Sequence, residues 1–424
     1  MLQPRSPQPP DMMPSRLASA LLVCAFSACQ AVYADPSGPA CDQPGQWLIP
    51  AVPAARVEPA PALLRNLAGK QIVLLGERHD SADDHRWQLA MLTALHALRP
   101  DMAVGFEMFP RRLQPVLDRW VAGQLSEADF LKQADWDEVW GFDPELYLPL
   151  FRFAREHHLP MLALNIERGL VKQVRAAGWE NVPVPQREGV GRPAEPLALY
   201  RTELRSVFDT HPALKDAAQD DTTQFARFVE AQTLWDRAMA QGIAQFRQAH
   251  PETLVVGILG AGHLRNGYGV PHQLQALGHA QYANLVTLPS NLACDATTPG
   301  LADAVFVVPP QPYQPKPRLG VSLQAAAEGV MIEKVWSGSL AEKSGLKNGD
   351  VVLQAAGGRI AGIEDLRGHI QRQPPGTWLP LLIRRGGATQ EIVVRFPPAT
   401  EPVAASEPAP ASPPHPLAAT PAKP

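Results

Sequence analysis

Two short apolar runs in this chain each end in Gly-x-x-His. Gln71-Ile72-Val73-Leu74-Leu75 leads into Gly76-Glu77-Arg78-His79, and the run from Thr253 to Leu259 leads into Gly260-Ala261-Gly262-His263. An unbroken β-branched run closed by glycine reads as a strand buried on both faces, the environment of a parallel sheet covered by helices. Ligands of such open sheets gather at the carboxyl ends of the strands, which is where both histidines fall. Two further runs reach the same edge: Met102 to Phe106 delivers Glu107, and Met161 to Leu164 delivers Asn165. Gly76 and Gly260 are expected to let the backbone turn sharply there, so that the following side chains face the crevice.

Imidazole and carboxylate together suit metal ligation by Zn, Fe or Mn, and they also move protons at neutral pH. His79, Glu107 and His263 are therefore candidate ligands of a divalent metal, and Glu77, His79, Glu107 and His263 a candidate catalytic set for a hydrolase, with Glu77 as base. The chain has neither the H-E-x-x-H of zinc peptidases nor the G-x-S-x-G of serine hydrolases.

The stretch Gly76-Glu77-Arg78-His79-Asp80, with His85 and Gln88, then Gly105-Phe106-Glu107-Met108-Phe109, Gly260-Ala261-Gly262-His263 and Tyr268-Gly269-Val270-Pro271, resembles the ChaN-like haem-binding lipoproteins of Gram-negative bacteria. That family is similar to a wider group with the Tiki and TraB proteins and the erythromycin esterases. The resemblance covers roughly residues 61 to 290 and implies haem or a related iron porphyrin as ligand, with a role in haem or iron acquisition. Ferric haem accepts imidazole or phenolate, so His79, His85, His263 and Tyr268 are candidate axial ligands, and Arg265 is a candidate partner for a propionate. The absence of C-x-x-C-H excludes covalent attachment of the c type. A metal-dependent hydrolase or peptidase is the alternative.

A net charge of -4 with 19% charged residues offers no basic footprint for nucleic acid. Arg16 precedes an apolar stretch from Leu17 to Ala28 that has the length of a signal-peptide core and is too short for a permanent span. Val32-Tyr33-Ala34 is a small-residue cleavage site, giving a signal peptide over 1–34. Phe26-Ser27-Ala28-Cys29 is the rival, a poor lipobox in which Cys29 would carry a lipid anchor. Export to the periplasm, with or without attachment to the outer membrane, follows from either. Of the four cysteines, Cys41 and Cys294 remain after processing, a candidate disulfide in an oxidising compartment.

The 45 prolines mark linkers rather than core. An N-terminal extension (35–60), an α/β domain with a mostly parallel sheet flanked by helices (61–308), a Pro-rich linker (309–317), a small β-rich module (318–397) and a disordered Pro/Ala-rich tail (398–424) are expected. In the first domain Ser81 reads as a helix N-cap before Asp83 and Asp84, and Ser126 as another. Helical patterns run over 144–157, 167–178, 196–207 and 223–248. Strands are expected at 71–75, 102–107, 161–164 and 254–259, with additions near 282–287 and 304–308. The cluster from Asp135 to Trp140, with Phe142, is expected either to wall a flat ligand or to cap the core.

The second module, centred on Ser339 to Leu353, resembles a PDZ domain of the periplasmic-protease type. That implies capture of a partner's C-terminal peptide by strand addition, with the carboxylate held near Leu319-Gly320-Val321. Val321 and Leu323 on the strand, and Leu366 and Ile370 four apart on the facing helix, are the expected groove lining. Gly357-Gly358 and Gly386-Gly387 are its expected hairpin turns.

Overall fold

A computed structural model describes residues 41–210, 220–310 and 317–398. The signal peptide with its rival Cys29 site, the centre of the Pro-rich linker and nearly all of the C-terminal tail lie outside the described residues. Among the described residues no helix is long and apolar enough to cross a membrane.

Eight strands form the first sheet: β1 (Trp47–Ile49), β2 (Arg56–Glu58), β3 (Ile72–Glu77), β4 (Met102–Pro110), β5 (Met161–Asn165), β6 (Leu254–Gly260), β7 (Tyr282–Pro289) and β8 (Ala304–Val308). They lie in the order β2-β1-β8-β7-β3-β6-β4-β5. The six from β8 to β5 are mutually parallel. The short β1–β2 hairpin, which carries no long apolar run, closes the β8 edge in antiparallel register. Every residue of β3, β4, β5 and β6 is buried, as the unbroken apolar runs require.

The helices are α1 (Ala60–Ala68), α2 (Ala82–Leu98), α3 (Gln114–Val121), α4 (Glu127–Gln133), α5 (Trp136–Val139), α6 (Leu148–Glu156), α7 (Arg168–Ala177), α8 (Ala198–Thr210), α9 (Asp221–Ala249), α10 (Val270–Ala276) and α11 (Ser290–Ala296). Strand side chains alternate between faces. Val73, Leu75, Val104 and Phe106 pack with residues of α1 to α6 in one core. Ile72, Leu74, Ala103 and Val255 pack with α9, α10 and α11 in another. Ser81 caps α2 by accepting from the Asp84 N–H, and Ser126 caps α4 in the same way from Asp129. Cys41 and Cys294 are joined, tying the segment before β1 to α11 across 253 positions.

Residues 317–398 form a separate antiparallel sheet of β9 (Val321–Ala325), β10 (Val330–Val335), β11 (Val351–Ala355), β13 (Trp378–Arg385) and β14 (Ala388–Arg395), with the two-residue β12 (Gly358–Arg359) on β11. Two helices, α12 (Leu340–Lys343) and α13 (Ile363–Gln371), complete it. The order β14-β13-β11-β10-β9 leaves β9 at an edge. Gly386 and Gly387 sit at φ 58 and 88 in the turn between β13 and β14, as expected. In the other hairpin the turn residues are Ala356 and Gly357, both left-handed, because Gly358 already pairs with Ala355. The turn therefore starts one residue earlier than its glycines suggest.

Candidate functional site

The carboxyl ends of β3, β4 and β6 bring Glu77, His79, Glu107 and His263 together. Glu77 is the last residue of β3 and Glu107 lies near the end of β4, and both are buried to within 2%. The His79 ring stands beside Glu77, its Nδ1 donating to Glu77 Oε1 at 2.7 Å. Glu107 Oε2 accepts the Gly260 N–H at 2.5 Å, and its Oε1 lies 3.4 Å from His263 Nε2. His263 Nδ1 donates to Asp236 Oδ1 at 2.6 Å, and the Tyr200 hydroxyl donates to Asp236 Oδ2 at 2.8 Å. Asp236 lies in the middle of α9 and is wholly buried. Sequence reading missed it. Its signal is an acid on the apolar face of a long helix, between the core residues Leu234 and Ala238.

Burial pulls the pKa of His79 down, but Glu77 and Glu107 outweigh it and raise it to about 9. The same contest raises His263 to about 10, with Glu107 and Asp236 opposing desolvation. Glu107, pushed up by burial, is pulled down further by His263, His79 and the Gly260 N–H, to about 2. Burial holds Asp236 above the usual carboxylate range in spite of His263 and Tyr200. The edge thus holds two protonated imidazoles against ionised carboxylate.

The two motif glycines have a different role from the one expected. Gly260 has an ordinary extended backbone (φ -61, ψ 135), and Gly76 is likewise outside the left-handed region. Space is the reason for both. A Cβ at Gly260 would lie 2.8 Å from His79 Cε1, and one at Gly76 would lie 3.1 Å from Leu264 and Val286 side-chain carbons.

A cavity of about 370 Å³ opens at this edge, within the range of small-molecule sites. His79 lines it, with Met108, Trp140, Phe142 and Trp235 as apolar walls and Arg112 and Arg168 among the polar lining. The Trp140 and Phe142 rings lie 4.7 and 5.3 Å from the His79 ring. Asp135 and Glu138 line the cavity with Trp140, whereas Trp136 turns into the core and donates its Nε1–H to the Phe142 carbonyl. Part of the cluster therefore lines the cavity and part of it packs into the core.

Not every candidate reaches the cavity. His85 is buried under Tyr147, its Nε2 donating to the His79 carbonyl (3.2 Å) and its Nδ1 3.0 Å from Gln88 Oε1. The Tyr147 hydroxyl donates to the same carbonyl at 3.0 Å, so both residues fix the His79 backbone. Tyr268 packs with Tyr200 and Phe208 beside α8, and Arg265 is not among the residues lining the cavity. Asn165 lines the cavity while its side-chain N–H donates to the Glu107 carbonyl. His79, Glu107 and His263 do not make a metal ligand set: among the described residues no group of three His, Cys, Asp or Glu is placed to hold a metal ion. Their donor atoms are turned toward each other and toward neighbouring carboxylates.

In the second module Leu319 is buried, Val321 and Leu323 are half-buried on β9, and Leu366 and Ile370 are core residues, 0% and 5% exposed. Gly320 is left-handed at φ 74, and a Cβ there would lie 2.5 Å from that of Ser339, so this position admits only glycine.

Residues 63–274, which hold the whole constellation, match the family described as haem-binding uptake, Tiki superfamily, ChaN, and residues 317–395 match the PDZ domain. The chain belongs to that ChaN family and carries a PDZ domain after it. Among solved structures, the ChaN of Campylobacter jejuni, described with cofacial haem binding, is 16% identical over 61% of this chain and 96% of its own, with a TM-score of 0.47. An erythromycin esterase mutant in its open conformation is 13% identical over 54% of this chain and 72% of its own, with a TM-score of 0.36. An HtrA-type PDZ domain bound to a phage-derived ligand is 17% identical over 18% of this chain and 82% of its own, with a TM-score of 0.17. No curated protein matches the chain.

Proposed function

We propose that this protein is exported to the periplasm and takes up haem or a related iron porphyrin in the cavity beside His79, in the service of haem or iron acquisition. One observation carries the reading within the family. Of the four candidate axial ligands, His79 alone lines the cavity, and it does so among aromatic rings that suit a flat apolar ligand. Arg112 and Arg168 are the cations there for propionates, in place of Arg265. Lipid anchoring through Cys29 remains the rival to simple signal-peptide removal.

His79 is held protonated at neutral pH, so ligating iron requires it to release that proton. Hemin titration followed in the Soret region should therefore show saturable binding that tightens as pH rises toward about 9. His79→Ala should weaken it at least about tenfold, since losing even an outer-shell partner of a ligand typically costs roughly 10–100-fold. Unchanged spectra, or equal affinity in the variant, would remove this reading.

The paired imidazole–carboxylate couples favour a second reading, hydrolysis. Here His79, oriented by Glu77, would exchange protons with water and substrate at the cavity, and Glu107 with His263 would hold the charge balance. Turnover of chromogenic esters that disappears in His79→Gln would support it.

For the PDZ domain we propose capture of the C-terminus of an extracytoplasmic protein. Among the described residues edge strand β9 has a free side for strand addition, and the Leu319-Gly320-Val321 turn is the place for the carboxylate.

A further inference from the structure

We propose that His96 and His157 form a surface site for a borderline transition metal ion, copper(II) or zinc(II), bridging α2 and α6. His96 lies in the last turn of α2, and His157 is the residue that ends α6. Their ring centroids are 4.4 Å apart with planes inclined at 47°. Both rest on Phe153, which is buried: His96 stands edge-on at 5.8 Å and His157 lies at 4.5 Å.

Among the described residues neither ring has a hydrogen-bond partner. No carboxylate among the described residues is bonded to His96 to hold a proton on it. Burial, and then His157, accordingly lower the pKa of His96. Neutral imidazole nitrogens are the form that binds metal, and imidazole suits copper and zinc. An ion with bonds of about 2.0–2.1 Å to each ring fits a pair this close after small ring rotations, with water completing its coordination. Phe153 beneath them limits how far the rings can splay.

The pair is remote from the cavity in the topology. α2 leaves the carboxyl end of β3 and returns to the start of β4, and α6 leads into the start of β5, so both histidines sit at the amino edge of the sheet. The site therefore stands independently of hemin uptake.

The test uses full-length, tag-free, metal-stripped protein titrated calorimetrically with copper(II) or zinc(II) chloride, with melting temperature read in parallel. One equivalent should bind saturably, copper more tightly than zinc as the Irving–Williams order requires, and melting temperature should rise. His96→Ala and His157→Ala should each weaken binding at least about tenfold and abolish the thermal shift, because a single imidazole loses the chelate. His79→Ala should leave both readouts unchanged, whatever its effect on hemin. Equal metal affinity in wild type and both histidine variants, or no saturable binding of either ion, would overturn the proposal.

Discussion

His263 is a buried cation held by buried carboxylate, and the sign of its contribution to stability follows from its two pKa values. It is 6.5 in the unfolded chain and about 10 in the folded one, so the stabilisation is full below 6.5 and is lost as pH climbs toward 10. Glu107 works in reverse, from 4.5 unfolded to about 2 folded, and its contribution is lost as pH falls from 4.5 toward 2. The pair stabilises most between those limits. A melting curve series should decline on the alkaline side in the wild type and decline less steeply in His263→Gln, where His79 still contributes its own alkaline loss; parallel alkaline limbs would contradict the charge assignment. Gly260 makes a complementary test. Its backbone admits alanine, but the added Cβ would press on the His79 ring at 2.8 Å. Gly260→Ala should therefore cut hemin affinity severalfold while far-ultraviolet circular dichroism stays native. Unaltered hemin affinity would mean that the ring's position does not matter.

At the scale of elements, β9 and α13 contribute unequally to the proposed groove. Leu366 and Ile370 share a helix face, as their spacing indicates, but that face is the core of the module. A lysine at Ile370 would bury an unpaired charge and unfold the domain rather than report on the groove. Val321, half-buried at the start of β9, is the better probe. Val321→Glu sets a carboxylate where the proposed capture would place the peptide's own, and on that proposal should weaken binding of hydrophobic C-terminal peptides at least about tenfold by like-charge repulsion. Fluorescence polarisation measures it, and retained affinity in a folded variant would move the groove elsewhere. The same contrast shows what the sequence made legible. Buried parallel strands announce themselves as unbroken apolar runs, and Ser81, Ser126 and Gly386-Gly387 announce their turns chemically. The strand order did not, since pairing is decided by packing between distant segments, and β1 and β2 are too short to carry a pattern. At the site, Glu77, His79, Glu107 and His263 were legible because strand ends project onto one edge. Asp236 was not, because its role depends on which side of α9 meets His263. His85 and Tyr268 were readable as polar groups near the motif, yet the folded backbone turns both away from the cavity.

Over the whole molecule, the covalent link between Cys41 and Cys294 closes a loop spanning nearly all of the first domain. It fastens the segment that leads into β1, and β1 with β2 is the only antiparallel addition to the parallel sheet among the described residues. The two strands are anchored unequally: β1 puts Trp47 and Leu48 into the two cores, whereas in β2 Arg56 is exposed and the other two residues are half-buried. The outer strand β2, reached only through β1, is therefore the part that gains most from the tether. In the chain-entropy account a loop this long is expected to contribute about 2–5 kcal/mol by restricting the unfolded chain. For a domain of this size that corresponds to a fall of roughly 5–15 °C in melting temperature on reduction. Cys294 is exposed, so a mild reductant can reach the bond without prior unfolding. Non-reducing peptide mapping of protein produced in an oxidising compartment should recover the two cysteines in one joined fragment, and the same protein after reduction and alkylation should melt earlier. Hydrogen exchange should then quicken first at residues 56–58, because β2 has little burial of its own while β1 and β3 to β7 are held through the cores. Two alkylatable thiols in the untreated protein would refute the bridge, and a reduced protein with an unchanged melting temperature would show that the hairpin holds to β8 by its own contacts.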